Sequence, residues 1–163
     1  MLNEKVTILG AGSWGTALGI VLADNGHEVR LWSYNEDQVN EINTYRTNER
    51  YLPGIQLEGK IHAYAEMSSA LHNVKTIVIA VPTKAVREVV RKIARIIKNP
   101  VIVVHVCKGI EPDTLKRVSE MITEEMPEHL MEDLVVLSGP SHAEEVSRRQ
   151  PTTVAVSSKN IRA

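Results

Sequence analysis

The residues Gly10-Ala11-Gly12-Ser13-Trp14-Gly15 carry the G-x-G-x-x-G spacing with which a backbone can hold a diphosphate. In such a turn Gly10 permits the tight bend, Gly12 leaves no Cβ to block the phosphates, and Gly15 lets the following helix lie close to the preceding strand. Free amides at the helix start, together with the positive end of its dipole, then face the anion. Glycine-rich turns are common, so the weight of this one rests on the apolar run before it and the helical period after it. Trp14, at the mouth of the turn, reads equally well as a packing residue or as a surface against which a ligand rests. Lys108 is the second chemical candidate, in Cys107-Lys108-Gly109 directly after another apolar run. Hydride transfer to a ketone builds negative charge on oxygen, and a fixed cation aimed at that oxygen lowers the barrier. The competing reading of Lys108 is a solvated lysine in a loop. Cys107 has no partnered base and reads as a small buried thiol, and His105 reads as a strand histidine.

Two more segments exchange an apolar run for small or turn-forming residues, so that a ligand can approach the backbone. They are Val81-Pro82-Thr83 and Ser138-Gly139-Pro140-Ser141-His142-Ala143-Glu144-Glu145. In the second, Ser141 is placed as an N-cap and Glu144 completes a capping box, while the functional reading brings the same helix start to the polar end of a substrate. A dinucleotide site that prefers NAD places Asp or Glu about 20 residues beyond its glycines. Ser33-Tyr34-Asn35 stands there instead, with Glu36 slightly later and Arg46 and Arg50 as the arginines able to fold back. NAD against NADP is therefore left open. Tyr34 reads either as a lining of the adenosine end or as a surface tyrosine.

The elements that must position these residues alternate. Strand-like runs are expected at Val6–Leu9, Glu28–Trp32, Thr76–Val81, Val101–Val106, Leu134–Leu137 and Thr152–Val156. Helices are expected from Thr16 to Asn25 with Leu18, Val21 and Leu22 inward and Gly26 capping, and from Glu36 to Tyr45. Another should follow Thr83 as N-cap through Val86, Val89, Val90, Ile93 and Ile97, and one more should start near Pro112 with Leu115, Val118 and Ile122 inward. Asn48 to Gly59 has neither period and includes a loop. Short strands alternating with helices predict an α/β fold: a Rossmann-type, doubly wound, mainly parallel sheet with helices on both faces.

Composition narrows the partners. Nineteen basic and twenty acidic side chains leave a formal charge of −1, so no electrostatic case exists for nucleic acid or an anionic membrane. A single cysteine excludes an internal disulfide framework, the six histidines lack ligand spacing so that no metal is expected, and no run approaches the ~18 apolar residues of a membrane span. The start runs directly into a strand rather than a signal peptide, which reads as a cytoplasmic protein. At 163 residues the chain fits one dinucleotide-binding domain over residues 1–163.

Taken in order, Gly10 to Leu18, Val81-Pro82-Thr83, Lys108-Gly109-Ile110-Glu111 and Ser138 to Glu145 resemble the amino-terminal half of bacterial NAD(P)-dependent glycerol-3-phosphate dehydrogenases. The resemblance covers essentially the whole chain. It implies a chain binding NAD or NADP and an enzyme that interconverts dihydroxyacetone phosphate and sn-glycerol 3-phosphate for phospholipid synthesis. By the resemblance, Ser13, Trp14, Pro82 and Ala143 contact or lie near the cofactor, Lys108 touches cofactor and substrate, and Gly139 and Ser141 contact substrate. The family position that often carries His or Arg on the adenosine side falls at Tyr34. A helical second domain, which in the family supplies another lysine and most of the phosphate grip, lies beyond this sequence. An isolated cofactor-binding domain that turns over little or nothing is the expectation, with a homodimer possible in the full-length protein. The rival readings are a related β-hydroxyacid or sugar-phosphate dehydrogenase, and a non-catalytic dinucleotide-sensing module.

Overall fold

The computed structural model describes residues 3–160; Met1, Leu2 and residues 161–163 lie outside the described part. Seven strands form one sheet in the order β3-β2-β1-β4-β5-β6-β7. They are β1 (Lys5–Leu9), β2 (Glu28–Trp32), β3 (Ile61–Tyr64), β4 (Thr76–Ile79), β5 (Val101–His105), β6 (Met131–Ser138) and β7 (Ala155–Ser158). All neighbouring pairs from β3 to β6 are parallel, and β7 alone runs antiparallel, on the β6 edge. The chain order reverses between β1 and β4, and ligands of such sheets gather at the carboxyl ends of the strands around that reversal.

Helices α1 (Ser13–Asp24), α2 (Glu36–Tyr45) and α6 (Ala143–Ser147) cover one face, where Val6, Ile8, Ile20, Leu31, Ile42 and Val146 pack together. Helices α3 (Met67–Ala70), α4 (Val86–Ile96) and α5 (Val118–Glu125) cover the other, over Leu9, Ile77, Ile79, Val89, Ile93 and Ile122. Alternate residues of β1 therefore serve different layers, as a strand covered on both faces requires. The doubly wound, mainly parallel expectation is met.

Helix α1 departs from the expected face. Gly15, Thr16, Gly19, Ile20 and Ala23 are its buried side, Leu18 and Leu22 are half-buried, and Val21 is exposed. The small residues win the inner face because the helix lies so near the sheet. A Cβ on Gly19 would already stand 3.4 Å from Val29 and 3.5 Å from Leu31. Its end is closed as expected at Gly26, where the Gly26 amide donates to Ala23 O (2.9 Å) and the His27 amide to Leu22 O (3.1 Å), a Schellman pair.

Other expectations are corrected. Thr83 opens a short 3-10 turn (Thr83–Ala85) and caps nothing; its hydroxyl donates to Lys108 O at 2.9 Å. No helix starts at Pro112. Residues 110–117 close into a loop bridged between Ile110 and Arg117, and Leu115 adopts φ 57° and is 70% exposed, so the helix begins only at Val118. Ser141 is not an N-cap either. His142 holds that position without a side-chain cap, and Ser141 is buried. The last strand is Ala155–Ser158 rather than 152–156, and β3 and α3 had no counterpart in the sequence pattern.

Candidate functional site

A crevice of about 520 Å³ opens at the carboxyl ends of β1, β2, β4 and β5. Its volume lies within the range of small-molecule sites. Its floor is the glycine turn, its first wall the segment after β2, and its second wall the segments after β4 and β5, with the start of α6 completing the rim.

Each glycine of the turn has a separate reason. Gly10 sits at φ 118°, and a Cβ there would stand 2.5 Å from the Ala80 carbonyl oxygen. A Cβ on Gly15 would press on the Gly10 carbonyl oxygen and meet the Ala80 Cβ at 3.3 Å. Those two hold β1, α1 and β4 together. Gly12 differs, because a Cβ there meets nothing within 4 Å: the space beside it is crevice. Gly12 is also the N-cap of α1, without any side-chain cap, and the first turn of α1 contains no acid. The amides of Ser13, Trp14 and Gly15 have no partner within the helix, and Ser13 and Trp14 line the open volume. A diphosphate fits this cradle on both counts, room and unspent donors.

The cradle is braced from below. Asn48, fully buried, donates through Nδ2 to Ala11 O (3.0 Å) and Thr16 Oγ1 (2.9 Å), and its Oδ1 accepts from Gln38 Nε2 (3.1 Å). Gln38 Nε2 also reaches Ala11 O, and its Oε1 accepts from Ser33 Oγ (2.6 Å). Ser13 Oγ donates to Tyr51 O at 2.9 Å. Periodicity could not reveal Gln38, Asn48 or Tyr51. The one available signal was an asparagine at the entry of a stretch rich in turn formers.

Of the residues expected at a site, Gly10, Gly12, Ser13, Trp14, Tyr34, Pro82, Lys108, Ser141 and Ala143 all line this one crevice. Gly15 lies beneath it as packing. Gly139 does not line it; at φ 151° it passes the segment just before β7, where a Cβ would stand 2.8 Å from Thr153 O. Trp14 takes both roles left open, packing partly against the α1–α2–α6 core while presenting a surface to the crevice. Tyr34 is 84% exposed.

Lys108 projects from an exposed loop and enters no ion pair among the described residues. Its backbone is held by Thr83, and three residues on Glu111 is clamped by both arms of Arg87 at 2.6 and 2.7 Å. Arg87 also reaches Glu125 (2.9 Å), so the Lys108 loop is tied to α4 and α5 together. The Arg87 guanidinium, then Thr114, hold the Glu111 carboxyl down to about 2. Cys107 donates to Ile79 O (3.3 Å), and burial pushes its thiol up to about 11, so it is no nucleophile at neutral pH. His105 is buried with neither ring nitrogen hydrogen-bonded, and burial lowers its pKa, which keeps it neutral. Among the described residues none that lines the crevice is Asp or Glu, while Lys108 and Arg50 both do.

A bare helix start at the reversal point of a doubly wound sheet, opening on an acid-free crevice, defines a Rossmann-type nucleotide-binding domain. Residues 5–163 match the family model described as the NAD-dependent glycerol-3-phosphate dehydrogenase N-terminus, and the chain belongs to that family. It is 61% identical over 160 residues to a glycerol-3-phosphate dehydrogenase [NAD(P)+] of Geobacillus thermodenitrificans, covering 98% of this chain and 46% of that protein. It is 56% identical to the Bacillus cytotoxicus protein of the same name, covering 98% and 47%. A crystal structure of the glycerol-3-phosphate dehydrogenase of Coxiella burnetii superposes with a TM-score of 0.89 at 37% identity, covering 98% of this chain and 48% of that one. The chain thus spans about half the length of the curated relatives it matches.

Proposed function

We propose that this chain is the cofactor-holding half of an NAD(P)-dependent glycerol-3-phosphate dehydrogenase, which interconverts dihydroxyacetone phosphate and sn-glycerol 3-phosphate in the supply of glycerophospholipids. The observation that carries the proposal is the uncapped, acid-free start of α1 opening beside Gly12 into a crevice without carboxylates. The bound nicotinamide supplies the hydride. The chain's own residues do the rest: the α1 amides hold the diphosphate, Trp14 covers it, and Lys108 places a cation where negative charge grows on the substrate oxygen. Ser141, on the rim of the crevice, is assigned to substrate, whereas Gly139, which lies off the crevice, is given to the turn that carries it. No helix among the described residues is long and apolar enough to cross a membrane. A cytoplasmic setting and a homodimer of the longer protein belong to the same reading.

Titration with NADH and NADPH tests the binding half of this proposal, because Trp14 and Trp32 are the only tryptophans and both line the crevice. We expect a saturable fluorescence change that a Trp14→Leu substitution removes. Steady-state reduction of dihydroxyacetone phosphate by these 163 residues alone, at about the 1–10³ s⁻¹ typical of enzymes, would contradict the division of labour. In a protein carrying both halves, Lys108→Ala should lower kcat by about 10² or more with dinucleotide affinity retained. Unchanged turnover there would leave Lys108 outside the chemistry.

A further inference from the structure

We infer that Arg50 reads the 2′-phosphate of the adenosine ribose, so that this crevice selects NADPH over NADH. The inference rests on the dinucleotide reading of the crevice and adds to it a specificity residue.

In a site of this architecture the adenosine ribose lies at the end of β2. A carboxylate there takes the 2′-hydroxyl of NADH and repels a phosphate. This chain offers none. After Trp32 come Ser33, whose hydroxyl donates to Gln38, and the exposed Tyr34. Asn35 follows, and its Oδ1 caps α2 by accepting from the Gln38 amide (3.1 Å). Glu36 and Asp37 sit on the first turn of α2 and do not line the crevice. Glu49, the acid next in sequence to Arg50, is turned to the Gly54 amide at 3.2 Å.

The arginines divide cleanly. Arg30 is spent on Glu28 and on the carbonyls of Ser69 and His72. Arg46 is spent on the carbonyls of Ile61 and Glu58, which tie down the approach to β3. Arg50 lines the crevice and makes no hydrogen bond or ion pair among the described residues; its guanidinium rests over the Tyr51 ring at 5.5 Å from the centroid. Its backbone is fixed on both sides. Asn48 is bonded to Ala11 and Thr16, and the Tyr51 carbonyl accepts from Ser13. The loop that carries Arg50 is thus tied to the same turn that would hold the diphosphate. The exposed guanidinium lies over Tyr51 with its donors unspent. A planar fork of donors on a dianionic phosphate forms charge-assisted, bidentate bonds, whereas a neutral hydroxyl gains little from the same group.

The test is a fluorescence titration of the 163-residue chain with each dinucleotide. NADPH should bind about tenfold or more tighter than NADH at low ionic strength, and added salt should narrow the gap. Arg50→Gln should weaken NADPH by about tenfold or more and leave NADH within about twofold, and Arg50→Lys should keep part of the preference. Adenosine 2′,5′-bisphosphate should displace bound NADPH more effectively than 5′-AMP, and that advantage should vanish in Arg50→Gln. Equal affinities in the unaltered chain overturn the inference, as does an Arg50→Gln variant that loses both dinucleotides equally, which would place Arg50 on the diphosphate. Failure of either dinucleotide to bind the unaltered chain is a different result and removes the crevice reading itself.

Discussion

Helices α1 and α2 both rise from the carboxyl ends of adjacent strands, yet their first turns are built in opposite ways. Helix α2 starts as an isolated structural helix does, with Asn35 accepting from the Gln38 amide and with Glu36 and Asp37 set against the positive end of the dipole. Helix α1 has neither cap nor acid, and its N-cap is Gly12. Glycine in place of a capping side chain forgoes only about a few tenths of a kcal/mol of stability. The difference teaches that an anion site at a helix start is made by what the sequence withholds. The same chain shows, one crossover later, that it can fill such a start when stability alone is at stake.

Two glycines three residues apart should break this comparison in different ways. Gly15→Ala should have the largest effect, since the added Cβ meets backbone that cannot yield: about 3 kcal/mol or more of stability, read as a drop in the urea midpoint, with binding lost as the turn opens. Gly12→Asp should turn the start of α1 into a copy of the start of α2. Its backbone, φ −75° and ψ −174°, suits an ordinary N-cap, and its Cβ points into free space. The midpoint should therefore hold or rise, by up to about 1 kcal/mol, while NADPH affinity falls about a hundredfold or more. A Gly12→Asp protein that binds normally would mean that the α1 amides do not hold the phosphates.

The same contrast explains what the sequence made legible. A site assembled from backbone must remove side chains at fixed places, and glycines at 10, 12 and 15 after an apolar strand are readable as such. So were the ends of β4 and β5, because continuous apolar runs stop abruptly where residues line the crevice. The bracing beneath the turn was invisible, since Asn48 reaches Ala11 and Thr16 across more than thirty residues and a buried asparagine looks like any loop asparagine. Edge strands suffered for a related reason. β3 has four residues with His62 exposed, and the antiparallel β7 is mostly exposed, so neither carries the apolar run that marks a central strand. The helix expected at Pro112 failed because a tertiary contact, Arg87 on Glu111, decides the path of that loop.

Glu111 carries the comparison to the far wall, where the effect should be smallest. It is the acid nearest in sequence to Lys108, and left free it would offer Lys108 a partner and cancel the charge the crevice presents. Arg87 takes it instead, and the carboxyl is held at about 2, below the value near 4.3 of an unfolded glutamate. A lowered folded pKa stabilises the fold above the unfolded value, and the contribution fades as pH falls from about 4.5 towards 2. Thermal melts of the parent chain and of Glu111→Gln should therefore stand a constant distance apart from pH 7 to about 5, the parent higher, and converge below about 4.5. Neighbouring Glu120, Glu124 and Glu125, also lowered by their Arg and Lys partners, steepen both curves, and of these only Glu120 is independent of Arg87. Curves that stay parallel down to pH 2.5 would show that Arg87 does not hold this carboxylate in solution. The Lys108 loop would then have an acid free to neutralise it, and the far wall would lose the feature it shares with the start of α1.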